Sequence, residues 1–379
     1  VLKTIEGYFP GLVIERGKKL NFLGMEIEFT TKGKFNLGLV QYISGMIEEL
    51  EELLRSYDEN LNTRYAHPAN KNLFTVREST PSLPEDKADI FRRFVAKLIW
   101  VMKRGRPDIE LSVSFLCTRV KQPDHDDWFK FIRLMSWIKV TKDDVRTIGA
   151  DDLLNLFVMI DSSHAVHGDM RGHTGGVSTF GTGVIDQKAS KQRMNTRSST
   201  ETEHVGTSEY LPKPIFFELF MEHQGYKPDV TLWKDNESEI RMLINGKDSC
   251  TSNSKHVAIK YFWSTDRIKA GKMKVKYCPT EKMIADYMSK PLQGTLFQVF
   301  RKVIMGWAHI NTLFDFFESN EERVEKDVKK TVGSKKKKLT YAEIVRASQS
   351  TEIQNALIGK GLDPLDHLNK SLKRNNPVS

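Results

Sequence analysis

Residues 156–182 read LFVMIDSSHAVHGDMRGHTGGVSTFGT. The apolar run Leu156–Ile160 ends on Asp161, small and polar residues follow, and His173-Thr174-Gly175-Gly176 leads into Val177-Ser178-Thr179-Phe180. A short apolar run bounded by turn residues reads as a buried strand. The stretch therefore predicts a strand that delivers a carboxylate at its end, a loop, and a second strand pairing back on the first. One acid is compatible with many folds. The pattern gains meaning only if later acids arrive at spacings that bring them to the same sheet edge.

The bounds from composition are consistent with such a fold. A chain of 379 residues with 39% hydrophobic and 28% charged residues has the make-up of a water-soluble globular protein, and its length suits two domains and a tail. A net charge of +9 favours a polyanionic partner, nucleic acid first, although a basic tail on an ordinary surface would give the same figure. Cys117, Cys250 and Cys278 are far apart and form no pair of metal-ligand or disulfide spacing. The expectation is a reduced, intracellular chain, cytoplasmic or nuclear and not secreted. No run approaches the roughly 18 apolar residues of a spanning helix, so no membrane association is expected. The chain starts on Val without a signal-peptide pattern, and it reads as a fragment of something longer.

Upstream of the opening stretch, alternation from Leu23 to Phe29 predicts a strand, and Lys34–Leu37 its return. Ile43, Met46, Ile47, Leu50 and Leu54 share one helical face, and Glu48, Glu49, Glu51 and Glu52 lie outside it. Residues 60–83 are polar with several prolines and read as a connector. Three amphipathic helices follow. The first begins at Glu85 and stops at Gly105, the second runs from Ile109 to Val120 with Pro107 and Asp108 starting and capping it, and the third carries Trp128, Phe131, Ile132, Met135 and Ile138. Arg92, Arg93, Lys97, Lys103, Arg104 and Arg106 crowd the outside of the first helix. That basic face suits a phosphate backbone and equally suits plain solvation. A polar joint at 141–152 separates this region from 149–306, whose strands and helices alternate as in a mixed α/β sheet with helices on its faces. Residues 319–338 are almost all charged or small and end in Lys335-Lys336-Lys337-Lys338. This segment cannot bury enough apolar surface to fold alone, so 307–379 is expected to be a charged, partly disordered tail.

Three later sites carry acids that could join Asp161. Ser198–His204 presents Glu201 and Glu203 in the first turns of a helix. Val230–Asn236 is a short strand ending in Asp235-Asn236 before a helix, and Thr280–Asp286 places Asp286 in a helix after the strand Lys274–Tyr277. Each has a plain alternative: Glu201 and Glu203 complement a helix dipole, Asp235 caps a helix, and Asp286 is a surface acid. Together they can bring four carboxylates to one sheet edge. Converging carboxylates do not all ionise without a cation, and hard oxygen ligands select Mg²⁺ or Mn²⁺. No His/Cys set has zinc spacing.

These residues carry a family resemblance over roughly 10–306. Asn21–Glu26 and Arg106-Pro107-Asp108-Ile109, then Met159–Ser163 with Arg171–Gly176, resemble segments of the C-terminal part of copia-type LTR retrotransposon polyproteins, in that order. Ser199–Glu203 resembles the family's "STEAE" and Asp235–Ser238 its "DNxS". Lys255-His256 and Tyr261, then Tyr277–Thr280, Ala285-Asp286 and Lys290–Leu292, resemble its last two motifs. The resemblance implies a reverse transcriptase thumb/connection region at 1–148, a small β-plus-helical-bundle, followed by a ribonuclease H-like mixed five-stranded sheet with flanking helices at 149–306. The polymerase palm is absent from this chain, because no Tyr-x-Asp-Asp hairpin occurs.

The implied metal ligands and catalytic residues are Asp161, Glu203, Asp235 and Asp286. Glu203 is preferred to Glu201 because the second Glu of the motif aligns with the helix acid of ribonucleases H. The implied chemistry is two-metal hydrolysis, with two Mg²⁺ (or Mn²⁺) ions, of the RNA strand of an RNA–DNA hybrid. Ser162, Asn236 and His256 are the implied backbone-positioning residues, and the implied partners are the hybrid and the remainder of the polyprotein. The family's second His of "RYHF" is replaced in Lys260–Trp263, and Cys278–Glu281, shortly before the last acid, holds no His. Pro212 and Pro214 should end or kink the helix that begins near Ser198. The alternative is a catalytically decayed nucleic-acid-binding scaffold of the same fold. His164, His167 and His173 are expected to be loop residues near nucleic acid and not zinc ligands.

Overall fold

The computed structural model describes residues 2–11, 13–31, 33–61, 63–150, 154–246 and 263–313, and these form one compact unit. His256, Cys250, Lys260–Phe262 and the lysine run at 335–338 lie outside the described residues.

Helix α1 (Leu2–Tyr8) precedes the antiparallel strands β1 (Lys19–Phe22), β2 (Met25–Phe29) and β3 (Lys34–Gly38). Helix α2 (Val40–Arg55) buries the expected stripe of Ile43, Met46, Ile47, Leu50 and Leu54. After the connector come α3 (Glu85–Arg104), which ends at Gly105, then α4 (Glu110–Cys117) and α5 (His125–Val140). Asp124 and Asp127 close a reciprocal capping box at the start of α5, satisfying two orphan N–H groups.

Asp108 does not cap α4. A turn of 3₁₀ helix at Pro107–Ile109 precedes that helix, and the Asp108 carboxylate is buried between Arg106 and Arg301, at 2.9 Å from each. Nor is the outside of α3 an open basic face. Lys97 pairs with Glu49, Arg92 with Glu85 and Asp89, and Lys103 with Glu110.

Strand β4 (Arg146–Ala150) pairs with β3 on one side and with the short strand Gly181–Thr182 on the other. The boundary expected at 148/149 therefore falls inside a strand. Next come β5 (Asn155–Ser163), β6 (His173–Thr179), β7 (Gly181–Thr182) and β8 (Asp186–Lys191). Helix α6 (Ser199–Tyr210) stops one residue before α7 (Pro212–His223), the early end that the two prolines predict. The chain continues through β9 (Asp229–Lys234), α8 (Glu237–Asn245), α9 (Trp263–Lys269) and β10 (Lys274–Tyr277) to α10 (Asp286–Ser289) and α11 (Gly294–Ile304).

The second sheet has the order β10-β9-β5-β6-β8. Strands β5, β6 and β8 are antiparallel neighbours, and β9 and β10 run parallel to β5. It is the mixed five-stranded sheet with flanking helices that a ribonuclease H-like fold implies. Its core packs Leu156, Val158 and Ile160 of β5 against Leu232, Tyr210 and Leu243. Alternation along β5 turns these three to one layer, and burial of each such side chain stabilises the fold by roughly 1.5–3 kcal/mol.

Candidate metal centre

The pairing of β5 with β9 fixes the first two acids. Met159 stands opposite Trp233 in a parallel register, so two residues further on Asp161 and Asp235 arrive level at the same sheet edge. The third acid comes from a crossing. Asp161 pairs with Gly175 on β6, and the chain at Ala285–Ser289 passes directly over that glycine. A Cβ at Gly175 would lie 2.6 Å from the Ala285 carbonyl oxygen, and one at Gly176 would lie 2.5 Å from the Tyr210 ring. The two glycines let this segment and α6 approach β6 closely.

Asp286 is not inside an amphipathic helix, as its spacing suggested. A 3₁₀ turn at Thr280–Lys282 precedes it, and Asp286 opens the four-residue α10. One carboxylate oxygen from each of Asp161, Asp235 and Asp286 lies within 4.8 Å of the others. The neighbouring hydroxyls orient them: Ser289 Oγ donates to Asp161, and Thr280 Oγ1 donates to Asp235 at 3.0 Å. Lys290 Nζ lies 2.8 Å from Asp286 and 3.4 Å from Asp161. Burial, with the Asp161 charge adding to it, pushes Asp286 up to about 8 against the pull of Lys290. Asp161 and Asp235 open onto a cleft of about 570 Å³ lined also by Ser162, Ser163, His164, Glu203, Asn236 and Lys290. A second cavity of about 310 Å³ adjoins through Ser163 and Lys290 and reaches Lys71, Phe74 and Thr75 of the connector.

Glu203 reaches the cleft wall but does not join the three-carboxylate group. Its Oε1 accepts the Ser162 N–H at 3.2 Å, and its Oε2 accepts from Lys234 Nζ at 2.8 Å. Burial lifts Glu203 well above its ordinary range, with Asp161 and Glu239 adding to the lift and Lys234 opposing it. Glu201 turns the other way, to the Arg197 N–H at 2.7 Å.

Of the positioning candidates, Ser162 and Asn236 both line the cleft. Asn236 caps α8 by accepting from the Glu239 N–H at 3.1 Å, the capping role considered above for Asp235. Ser162 Oγ is buried and meets no hydrogen-bond partner among the described residues. His164 sits at the cleft and bonds Thr202 Oγ1 at 2.7 Å. His173 is not a loop residue, and His167, although it lies in the loop between β5 and β6, does not stand open to a nucleic acid. They are buried against each other at 3.1 Å, with His173 inside β6. Burial, with Lys191 adding to it, pulls His167 down to about 4.

Lys234, Ser289 and Lys290 were not singled out from the sequence as parts of the site. For Lys234 a signal existed: Val230, Leu232 and Lys234 recur at period two and all three are buried.

The donor set fits a hard divalent cation, since three carboxylates and a hydroxyl-rich wall present oxygen ligands only. Over 295 residues the chain is 21% identical to the retrovirus-related Pol polyprotein from transposon TNT 1-94 of Nicotiana tabacum, covering 76% of this chain and 22% of that protein. Over 203 residues it is 27% identical to the corresponding polyprotein from transposon RE2 of Arabidopsis thaliana, covering 52% of this chain and 14% of that one. The transposon Ty1-ER2 Gag-Pol polyprotein of Saccharomyces cerevisiae matches at 21% over 323 residues, 82% of this chain and 18% of that one. The chain is a homologue of copia-type retrotransposon Pol polyproteins. This Pol homologue spans about a fifth or less of the length of these relatives. No family model and no solved structure matches it. None of its described helices is long and apolar enough to cross a membrane.

Proposed function

We propose that this Pol homologue is a divalent-cation-dependent nuclease of the ribonuclease H type, cutting the RNA strand of RNA–DNA hybrids as part of a retrotransposon polyprotein. The observation that carries this reading is the convergence of Asp161, Asp235 and Asp286 within 4.8 Å, beside an open cleft that Asp161 and Asp235 line. A bound Mg²⁺ or Mn²⁺ would supply Lewis-acid activation of water and neutralise charge on the scissile phosphate. Asp161, Asp235 and Asp286 would hold it, and Ser289 and Thr280 keep the Asp161 and Asp235 carboxylates aimed. Lys290, half-exposed at the rim, neutralises the acids and can swing toward a phosphate. Ser162 Oγ is buried towards Gly206 of α6, so contact with a backbone oxygen or a 2′-hydroxyl, the group that separates RNA from DNA, would fall to Asn236 at the cleft wall. Lys71 and Thr75 extend the path toward the connector, and residues 1–148 would grip the duplex as a thumb and connection region. The whole polyprotein's remaining domains would supply polymerase activity.

The reading is tested on a labelled RNA–DNA hybrid with Mg²⁺ and with chelator. Cleavage of the RNA strand that needs the ion, and that disappears in Asp161→Asn and Asp235→Asn, supports it. Equal behaviour of wild type and both variants overturns it. A second reading, a non-catalytic nucleic-acid-binding scaffold, is favoured by one observation: Lys290 already pairs with two of the site's acids. It requires hybrid binding that is insensitive to the ion and no cleavage.

A further inference from the structure

The expected four-acid set and the structure disagree at Glu203, and the cause is Lys234. This side chain has 0% exposure and sits in a closed cage. Its Nζ lies 2.7 Å from the Ile160 carbonyl oxygen, 2.8 Å from Glu203, 2.7 Å from Glu239 and 3.3 Å from Thr207 Oγ1. Strand alternation puts it on the core face of β9, beneath the sheet edge that carries Asp235.

We propose that the Lys234 ammonium takes the place of a second cation in this site, so that the chain's own carboxylates hold one divalent ion, at Asp161, Asp235 and Asp286. The proposal rests on reading those three acids as a cation site and adds how many ions they hold. A second ion could share a bridging aspartate but would need a further carboxylate of its own; of the two other acids that line the cleft, Glu237 is exposed and pairs with Arg241, which leaves Glu203. Both of its oxygens are already engaged, one by the Ser162 N–H and the other by Lys234. A dication ligated there would face a fixed ammonium across a single carboxylate. Lys234 has no way to withdraw: it is held on four sides, and leaving would strand Glu239 as an uncompensated buried charge. Lys290 differs in this respect. Its side chain is 38% exposed, so it can move aside and leave the three aspartates to the ion. Lys234 is thus a positioning residue that acts through Glu203.

The test counts Mn²⁺ bound to the purified protein by electron paramagnetic resonance, without nucleic acid, so the result does not depend on cleavage. Wild type should bind one ion. Glu203→Gln, which keeps the Lys234–Glu239 pair, should leave that count and its affinity unchanged. Asp161→Asn should weaken binding by about tenfold or more. Lys234→Met should admit a second ion, and Lys234→Arg should restore the count of one. If Lys234→Met fails to fold, Glu203→Gln decides alone. Two ions on the wild type, or an ion lost in Glu203→Gln, overturns the proposal and leaves the nuclease reading standing. No bound ion on the wild type overturns both.

Discussion

The Arg106–Asp108–Arg301 cluster and the Asp161–Asp235–Asp286 cluster are joined through Tyr287, whose hydroxyl donates to the Asp108 carbonyl at 3.0 Å and whose neighbour is Asp286. In the first cluster the charges close on themselves. Arg106 and Arg301 grip Asp108, Arg301 also takes Asp144, and Arg106 spends its remaining donors on Thr141. The outcome for Asp108 is a carboxyl lowered below its ordinary range: burial opposes ionisation, and the two arginines outweigh it. In the second cluster Asp161, Asp235, Asp286, Glu203 and Glu239 are met by Lys234 and Lys290. Burial, with the Asp161 charge adding to it, leaves Asp286 raised, not lowered. A buried cluster that balances its charges holds elements together, and one left with surplus negative charge has a use for a cation.

Asp161→Asn is the sharpest way to break this contrast. It should cut hybrid cleavage by about 10³-fold or more, read as kcat/KM, with the fold retained by circular dichroism. Asp108→Ala should do the opposite. It leaves two buried guanidinium groups short of a partner and should destabilise by about 3–5 kcal/mol in urea unfolding. Loss of cleavage in that variant should track the unfolded fraction and nothing more.

Proton competition gives a smaller effect. With Asp286 lifted to about 8, an incoming ion must displace its proton, so Mn²⁺ affinity should rise about tenfold per pH unit below that value and flatten above it. Stability without the ion has the reverse sign. The folded state binds the proton more tightly than the unfolded state does. The contribution is therefore complete at acid pH and is lost as pH rises from the ordinary carboxylate range through about 8. The cation-free melting temperature should fall across that window, and added Mg²⁺ should reverse the fall. Asp161→Asn, by removing the neighbouring charge, should shift the Asp286 titration to lower pH, which carboxyl NMR would read.

What the sequence made legible was local. The run at Leu156–Ile160, the stripe of α2 and the prolines after Tyr210 each act through neighbours in the chain, so period and propensity expose them. The three aspartates were legible as a set because each stands at or near a strand or helix end, although β5 runs two residues past Asp161 to Ser163. Asp108 was misread because its partner Arg301 is distant in the chain, and a buried ion pair has no periodicity. His173 was misread because its loop-like neighbours hide a strand position. Lys234 was written into the alternation of β9, but a lysine on a core face is rare enough to be passed over when its partners, Glu203 and Glu239, lie on two separate helices.

Strand β4 has one further consequence. Because it is shared between β3 and β7, and the residues after α11 close on it through the bond from the Thr147 N–H to the Met305 carbonyl, the N-terminal sheet and the cleft cannot pivot about a linker. On the proposed reading the molecule is a ruler: a hybrid seated against residues 1–148 meets Asp161 at a constant offset. Its early digestion products should fall into a phased ladder of few lengths, and Gly306→Val, whose Cβ would lie 1.9 Å from the Thr147 carbonyl oxygen and so force β4 away from the residues after α11, should blur that ladder into a smear.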